Sequence, residues 1–340
     1  MRWAAALLLV LLVGCSGASQ APAPTSAPSA KPTLAAPGAV EKASLKLGIP
    51  VPASSFLPEF VGAKTTFHDE GLDVEIATFR GDAEVSQALA GGSVDVNVAS
   101  INGLANMISA GQPVRGFYAG FDQSDFDFVA RPEIKSWADL KSKSIGVSTF
   151  GSLTDSLVRA ALRKHSLEPE KDVQIVQSGG TPNAVQAMKG GQIQAAILSR
   201  PNSWQVLDEG YTLLGTQASE IAEQWPKHIF IAKTDFLDKN PNTVRALLRG
   251  HVSAIRLIRA NRDLGAQAIA ENFKFDRPYA ERAYDDVITG WDEHGELPAQ
   301  QYMDAFWQIA MATGDVTEPW PESKFLDRRF IDTFDQWAPK

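Results

Sequence analysis

One stretch of this chain occurs twice. Residues 73–100 read DVEIATFRGDAEVSQALAGGSVDVNVAS and residues 172–199 read DVQIVQSGGTPNAVQAMKGGQIQAAILS, aligning without a gap at an offset of 99. Asp73, Val74, Ile76, Gly81, Gln87, Ala88, Gly91, Gly92 and Ser100 return as Asp172, Val173, Ile175, Gly180, Gln186, Ala187, Gly190, Gly191 and Ser199. In the first copy Val74 and Ile76 alternate with Asp73 and Glu75, which predicts a strand. A helical pattern follows and Gly91-Gly92 stops it. A second, more buried strand then runs through Val94, Val96 and Val98. Neighbouring parallel strands need a crossover, usually a helix, so each copy builds part of a sheet. Two copies so far apart predict two similar lobes, and they are too few for a solenoid.

The rest of the chain extends this pattern. Strands are expected at 45–49, 114–119 and 144–147, with 127–130 continuing the first sheet. Helices are expected at 57–67, 102–110, 134–143 and 153–162, and further helix or strand pieces at 206–214 and 229–232. From Pro241 the chain reads as helical to its end. Val244, Leu247, Leu248, Val252, Ile255 and Ile258 share one face, and later helices are expected at 264–273, 279–293, 299–312 and 325–334. Alternating βα units followed by helices mean an α/β protein with largely parallel sheets.

The first 42 residues stand apart. Arg2 precedes an apolar run over 4–13 that is too short to span a membrane as a mature helix. The run ends in Leu12-Val13-Gly14-Cys15, which resembles a bacterial lipobox, where cleavage leaves the cysteine as a lipidated N-terminus. Cys15 is the only cysteine, so no intramolecular disulfide is possible. Residues 16–42 are rich in Ala, Pro and Ser, and such a composition predicts a disordered tether. The net charge of −8 argues against nucleic acid as the main partner, because phosphate binding needs a basic face.

Several phrases then make the body familiar. They are Glu70-Gly71-Leu72-Asp73-Val74, the run from Gln87 to Val96, Ile134-Lys135-Ser136 with Ala138-Asp139-Leu140-Lys141, Met188-Lys189-Gly190-Gly191-Gln192, and Asn240-Pro241-Asn242-Thr243-Val244-Arg245. In order and spacing, from about Leu45 to Asn272, the chain resembles the substrate-binding proteins of ABC transporters, in the sulfonate, nitrate, taurine and thiamine-precursor group (SsuA/THI5-like, NMT1-like). The resemblance implies a two-lobed periplasmic-binding-protein fold (type II) that closes at a hinge on a small molecule. Lobe one would be 45–130 plus 228–340, and lobe two 131–227. It also implies an extracytoplasmic, lipid-anchored receptor that acts as a monomer, partners an ABC permease and needs no cofactor.

Elementary chemistry locates the site separately. In parallel sheets ligands bind beyond the carboxyl ends of strands, where helix N-termini favour anionic or acceptor groups. The loops there supply Ser54, Ser55, Arg80, Ser100, Asn102, Ser148, Thr149, Gly151, Ser152, Ser178, Gly180, Ser199 and Arg200 as candidate ligand-binding residues. Arg80 and Arg200 carry the sharpest expectation, since guanidinium forks bind sulfonate, carboxylate or phosphate. Asp82 is close enough to occupy Arg80 instead. Tyr118, with Phe121 and Trp204, would stack on a flat ligand if it lined the cleft.

Catalysis finds little support. His68, His165, His228, His251 and His294 are scattered without the HExxH spacing of a zinc protease, and Gly151-Ser152 lacks the Gly-x-Ser-x-Gly elbow. The eukaryotic thiamine-pyrimidine synthases that share the fold use a cysteine-rich iron motif, and a single cysteine excludes it. The expectation is a binding protein rather than an enzyme. Two rivals remain: an enzyme on the same scaffold, such as a small-acid lyase using Asp82, Asp122 or Asp155, and a sensory lobe that signals without transport.

Overall fold

The computed structural model describes residues 38–340. The signal segment, Cys15 and residues 16–37 of the expected tether lie outside the described residues. Residues 38–42 are docked rather than loose. The Gly38 amide donates to Asn242 Oδ1 at 3.0 Å, and Glu41 accepts from the Thr243 amide at 2.8 Å and the Asn242 amide at 3.2 Å. Glu41 thus serves as a borrowed cap for the free N–H groups of the Pro241–Ala260 helix.

Among the described residues ten strands form two five-stranded sheets. They are β1 (Ser44–Ile49), β2 (Asp73–Thr78), β3 (Val96–Ala99), β4 (Val114–Gln123), β5 (Phe126–Ala130), β6 (Ser144–Val147), β7 (Gln174–Gln177), β8 (Ala195–Ser199), β9 (Thr212–Thr216) and β10 (Gln224–Lys233). The first sheet has the order β2-β1-β3-β10-β4 and the second β7-β6-β8-β5-β9. In each, the first three strands are parallel and the fourth runs against them. The repeat is therefore real in space: the helices Asp82–Gly91 and Thr181–Lys189 and the strands β3 and β8 all begin 99 residues apart. Every residue of β3 and β8 is buried, as central strands covered on both faces must be.

The sheets correct one boundary. The strand expected to continue the first sheet at 127–130 is β5, which pairs with β8 and β9 in the second. The switch comes at Ser124-Asp125, where Ser124 Oγ turns aside to donate to Ala222 O at 2.6 Å and the Ser124 amide donates to Glu223 O at 3.3 Å. The outgoing and returning chains thus cross between the sheets side by side, and the first crossing lies at 124–125, ahead of Arg131.

The C-terminal region is less helical than expected. The helix read at 279–293 is Arg277–Val287, and the helix read at 325–334 is replaced by two short ones, Glu322–Phe325 and Phe334–Trp337. Between these, Leu326 bridges Gly116 on β4 and the Asp327 amide donates to Gly116 O at 2.7 Å. The segment is drawn out to cover an edge strand whose N–H and C=O groups would otherwise stay unpaired. Among the described residues no helix is long and apolar enough to cross a membrane.

Candidate functional site

The carboxyl ends of the parallel strands in both sheets face one cleft. Its free volume is about 50 Å³, because the two lobes are drawn close together around it. Its walls alternate in origin: Phe56, Gly81, Asp82 and Ser100 come from the first lobe, and Ser148, Thr154, Gly180, Thr181 and Ser199 from the second. The crossing strands add Phe126, Lys227 and His228 at the base. Each helix start here follows a strand end by a short turn, so backbone N–H groups point inward.

The two lobes meet closely around the cavity. Leu153 N–H, at the start of the Leu153–Lys164 helix, donates to Asp82 Oδ2 at 3.0 Å. Asn106 Nδ2 donates to Gly151 O at 2.8 Å, and Ser54 Oγ donates to Arg200 O at 3.4 Å. Gly81 is required by approach rather than by turn geometry: a Cβ there would lie 2.6 Å from Thr149 Oγ1.

Buried charge is arranged in closed groups. Asp82, 5% exposed, also accepts from the Ser100 amide at 3.2 Å and Ser100 Oγ at 2.9 Å. Lys227 Nζ is paired with Asp125 and sits over the Phe126 ring, 4.4 Å from its centroid. Burial pulls the Lys227 ammonium below its ordinary range, and Asp125 opposes that. His228 stacks on Phe56 with ring centroids 3.7 Å apart and lies 3.4 Å from Ser55 Oγ. Burial first, and then the neighbouring Lys227 charge, hold His228 well below its ordinary value, so it is a neutral ring.

Of the fourteen expected binding residues, Ser100, Ser148, Gly180 and Ser199 line the cavity. Ser55 is fully buried behind His228, and Asn102 is buried where its Oδ1 accepts from Trp225 Nε1 at 3.4 Å. Ser152 forms a hydroxyl cluster with Ser148 and Thr154 through contacts of 2.9 Å each. Ser178 Oγ donates to Val147 O at 3.0 Å. Thr149, Gly151 and Ser54 lie at the seam between the lobes, through the close contacts already described.

The arginines and aromatics are placed differently from expectation. Arg80 is exposed and bound by Glu84, not by Asp82, because Glu84 lies one helical turn beyond it. Arg200 is an internal strut: it meets Asp127 at 3.0 Å and Asp286 of the Arg277–Val287 helix at 3.1 Å, and Ser203 Oγ completes Asp127 at 2.6 Å. Its fork is spent on protein carboxylates. Tyr118 lies in the first lobe's core and donates to Asp292 O at 3.1 Å and Glu293 O at 2.5 Å. Phe121 is buried beneath His228, and Trp204 packs under the Arg282 guanidinium at 3.8 Å.

The sequence reading named Asp82 only as a rival's acid or a partner for Arg80, and passed over Thr181, Lys227 and His228 as cavity residues. The repeat held a signal for the first two, since Asp82 and Thr181 align at the offset of 99 and each is the first polar residue of its helix. Lys227 and His228 interrupt an apolar strand, which gave no direction. Of the rival acids, Asp155 accepts from the Gly151 amide at 2.9 Å and pairs with Arg159 at 2.8 Å, away from the lining. Among the described residues no group of three His, Cys, Asp or Glu side chains is placed to hold a metal.

Comparison with known proteins agrees with this architecture. The nitrate/nitrite binding protein NrtA of a Nostoc species is 24% identical over 287 residues, covering 74% of this chain and 63% of that protein. The taurine-binding periplasmic protein of Escherichia coli is 28% identical over 207 residues, covering 59% and 63%. The chain thus spans less than two thirds of the length of these relatives. A solved structure from Bordetella bronchiseptica is 26% identical, superimposes with a TM-score of 0.76, and covers 87% of this chain and 98% of its own. The architecture is that of the periplasmic binding proteins. A family model described as NMT1/THI5 like matches residues 56–263, and with more than half of its length inside that match the chain belongs to the NMT1/THI5-like family.

Proposed function

We propose that this protein is the solute-binding receptor of an ABC importer, tethered outside the cytoplasm by a lipid on Cys15. It holds a small organic solute in the cleft and presents it to a permease. The observation that carries this reading is the cavity itself: it is lined from both lobes by hydroxyls and helix starts, and the chain passes between the lobes by adjacent crossings at its base. Such a joint supports hinge closure, and a solute that touches both lobes favours the closed state. Ser100 and Ser199 supply hydroxyls from opposite lobes, Gly180 and Thr181 a helix start, and the stacked Phe56–His228 pair a flat apolar wall for a ring. The names of the nitrate- and taurine-binding relatives support receptor work over catalysis. An enzyme would need a nucleophile or acid–base group facing the solute. Of the groups that line the cavity, Asp82 is tied to Ser100 and Leu153 and Lys227 to Asp125, while Ser55, the hydroxyl beside His228, is buried outside the lining, which weighs against that alternative.

The test is a melting-temperature screen of the full chain against a small-solute library, since a ligand that binds only the folded state raises the midpoint. A true cleft ligand loses its effect in Gly180→Trp, because a side chain there is driven against Val51, only 3.1 Å from the Cβ position. A ligand that still stabilises Gly180→Trp binds elsewhere. Turnover of a stabilising solute would move the protein to the enzyme class.

A further inference from the structure

The two copies of the repeated unit solve one packing problem in two ways. Asp82 and Thr181 each begin a helix, and each is tied to the serine that ends the following strand. Asp82 accepts from the Ser100 amide and hydroxyl at 3.2 and 2.9 Å. Thr181 Oγ1 accepts from the Ser199 amide at 3.2 Å and shares a hydrogen bond with Ser199 Oγ at 3.1 Å. A neutral hydroxyl therefore completes the tie in the second lobe. The charge of Asp82 is surplus to that need, yet it is nine-tenths buried and lines the cavity. A buried charge is costly to keep unless something else uses it.

One cation acts on it at a distance: the buried Lys227 ammonium feels the Asp82 charge, but less than that of Asp125. Lys227 lines the cavity but is paired with Asp125, and Arg200 is held by both Asp127 and Asp286. Arg80 stays in solvent on Glu84. Around the cleft, four buried or half-buried carboxylates meet two cations. The Leu153 amide, where a helix start would receive an anion, already donates to Asp82. A carboxylate offers about four acceptor positions, and three donors occupy this one, which leaves room for one more donor.

We infer that Asp82 determines the specificity of the cleft: its carboxylate excludes anions and selects a solute that presents an uncharged or cationic N–H group. This rests on the receptor reading, and it narrows the solute away from nitrate and simple sulfonates. The lobe-two arrangement supplies the test variant, because Asp82→Thr copies a tie the fold already uses.

The experiment is calorimetric titration of the full chain and of Asp82→Thr with sodium nitrate and with ethanesulfonate at constant ionic strength. Wild type is expected to bind neither, and Asp82→Thr to bind ethanesulfonate on the order of 100-fold more tightly, the effect of removing one charge a few ångströms away. Binding of either anion by wild type with a Kd of about 1 mM or tighter overturns the inference, and so does a folded Asp82→Thr that gains nothing. If Asp82→Thr fails to fold, Asp82→Asn, which keeps an acceptor for Leu153, is held to the same two outcomes. Wild-type binding of an anion leaves the receptor reading standing. A library screen without any ligand would sink that reading while the anion gain of Asp82→Thr stayed measurable.

Discussion

The two lobes are copies in topology and opposites in charge placement. At the paired helix starts, the first lobe has Asp82 and the second Thr181. At the arginines the asymmetry is reversed. Arg200 follows the last strand of the second unit, where the first has Ile101, and Arg80 precedes the first helix, where the second has Gly179. Arg200 is buried on two carboxylates and Arg80 is bathed in solvent. The shared positions are those that close a strand–helix–strand unit, and the differing ones are free to serve a site or to brace the lobes.

The largest expected effect is on the strut. Arg200→Ala leaves Asp127 and Asp286 without their cation, and breaking such a buried pair costs about 3–5 kcal/mol. Chemical denaturation should show this loss. A variant as stable as wild type would show that Arg200 braces nothing and return it to the list of ligand contacts.

Asp82→Leu comes next. It strands the Leu153 and Ser100 amides, and buried donors without partners cost about 1–3 kcal/mol each. Thr181→Val removes the lobe-two ties to the Ser199 amide and hydroxyl and strands one buried amide, for about 1–3 kcal/mol. The two melts together sharpen the comparison: equal losses would mean that the interlobe bond from Leu153 adds nothing.

The first lobe also carries a pH-sensitive pair. In the first lobe His251 Nδ1 lies 3.3 Å from Glu59 Oε1, both side chains almost fully buried. Burial raises Glu59 to about 8 and lowers His251 to about 3, so the pair is a neutral carboxyl beside a neutral imidazole. For Glu59 the folded value lies above the ordinary 4.5, so its contribution is full below that pH and is lost as pH rises towards 8. His251 acts in the opposite sense, between about 3 and 6.5, and drops out above that. From pH 6.5 to 8 stability should therefore fall, by on the order of 1 kcal/mol per pH unit, and Glu59→Gln should flatten the slope. A wild-type melting temperature constant over that window would contradict the assignment.

The smallest effect belongs to Arg80→Ala. With its side chain in solvent and its partner Glu84 in the first turn of the helix that follows, its removal should change neither the melting temperature nor the affinity for a screened solute. A lost affinity would place Arg80 at the cleft mouth.

What could be read in advance follows from these contrasts. The glycines and valines of the repeat fix strand, helix and turn locally, and the paired units of both sheets were legible from them. Ser100 and Ser199 were legible as cleft residues because the end of a parallel strand is where ligands bind. The sheet change at Ser124-Asp125 was not, because Asp127 to Ala130 is equally good strand sequence for either sheet and only β8 and β9 decide its partner. Nor was the fate of Arg200, since Asp286 lies 86 residues further on and meets it only in the folded chain. Residues 38–42 read as linker because their partner, the open start of a helix at Pro241, is two hundred residues away. Local pattern carries the units, while long-range ion pairs and caps are settled by tertiary packing.

If the strand-end tie is interchangeable between the lobes, the charge on Asp82 serves the cleft instead of the fold. The most direct measurement is a calorimetric melt of the exchange variant that combines Asp82→Thr with Thr181→Asp. One cooperative transition is expected, with a loss well below that of Asp82→Leu. A loss equal to that of Asp82→Leu would show that the fold itself needs a carboxylate at position 82, and would contradict this interchange.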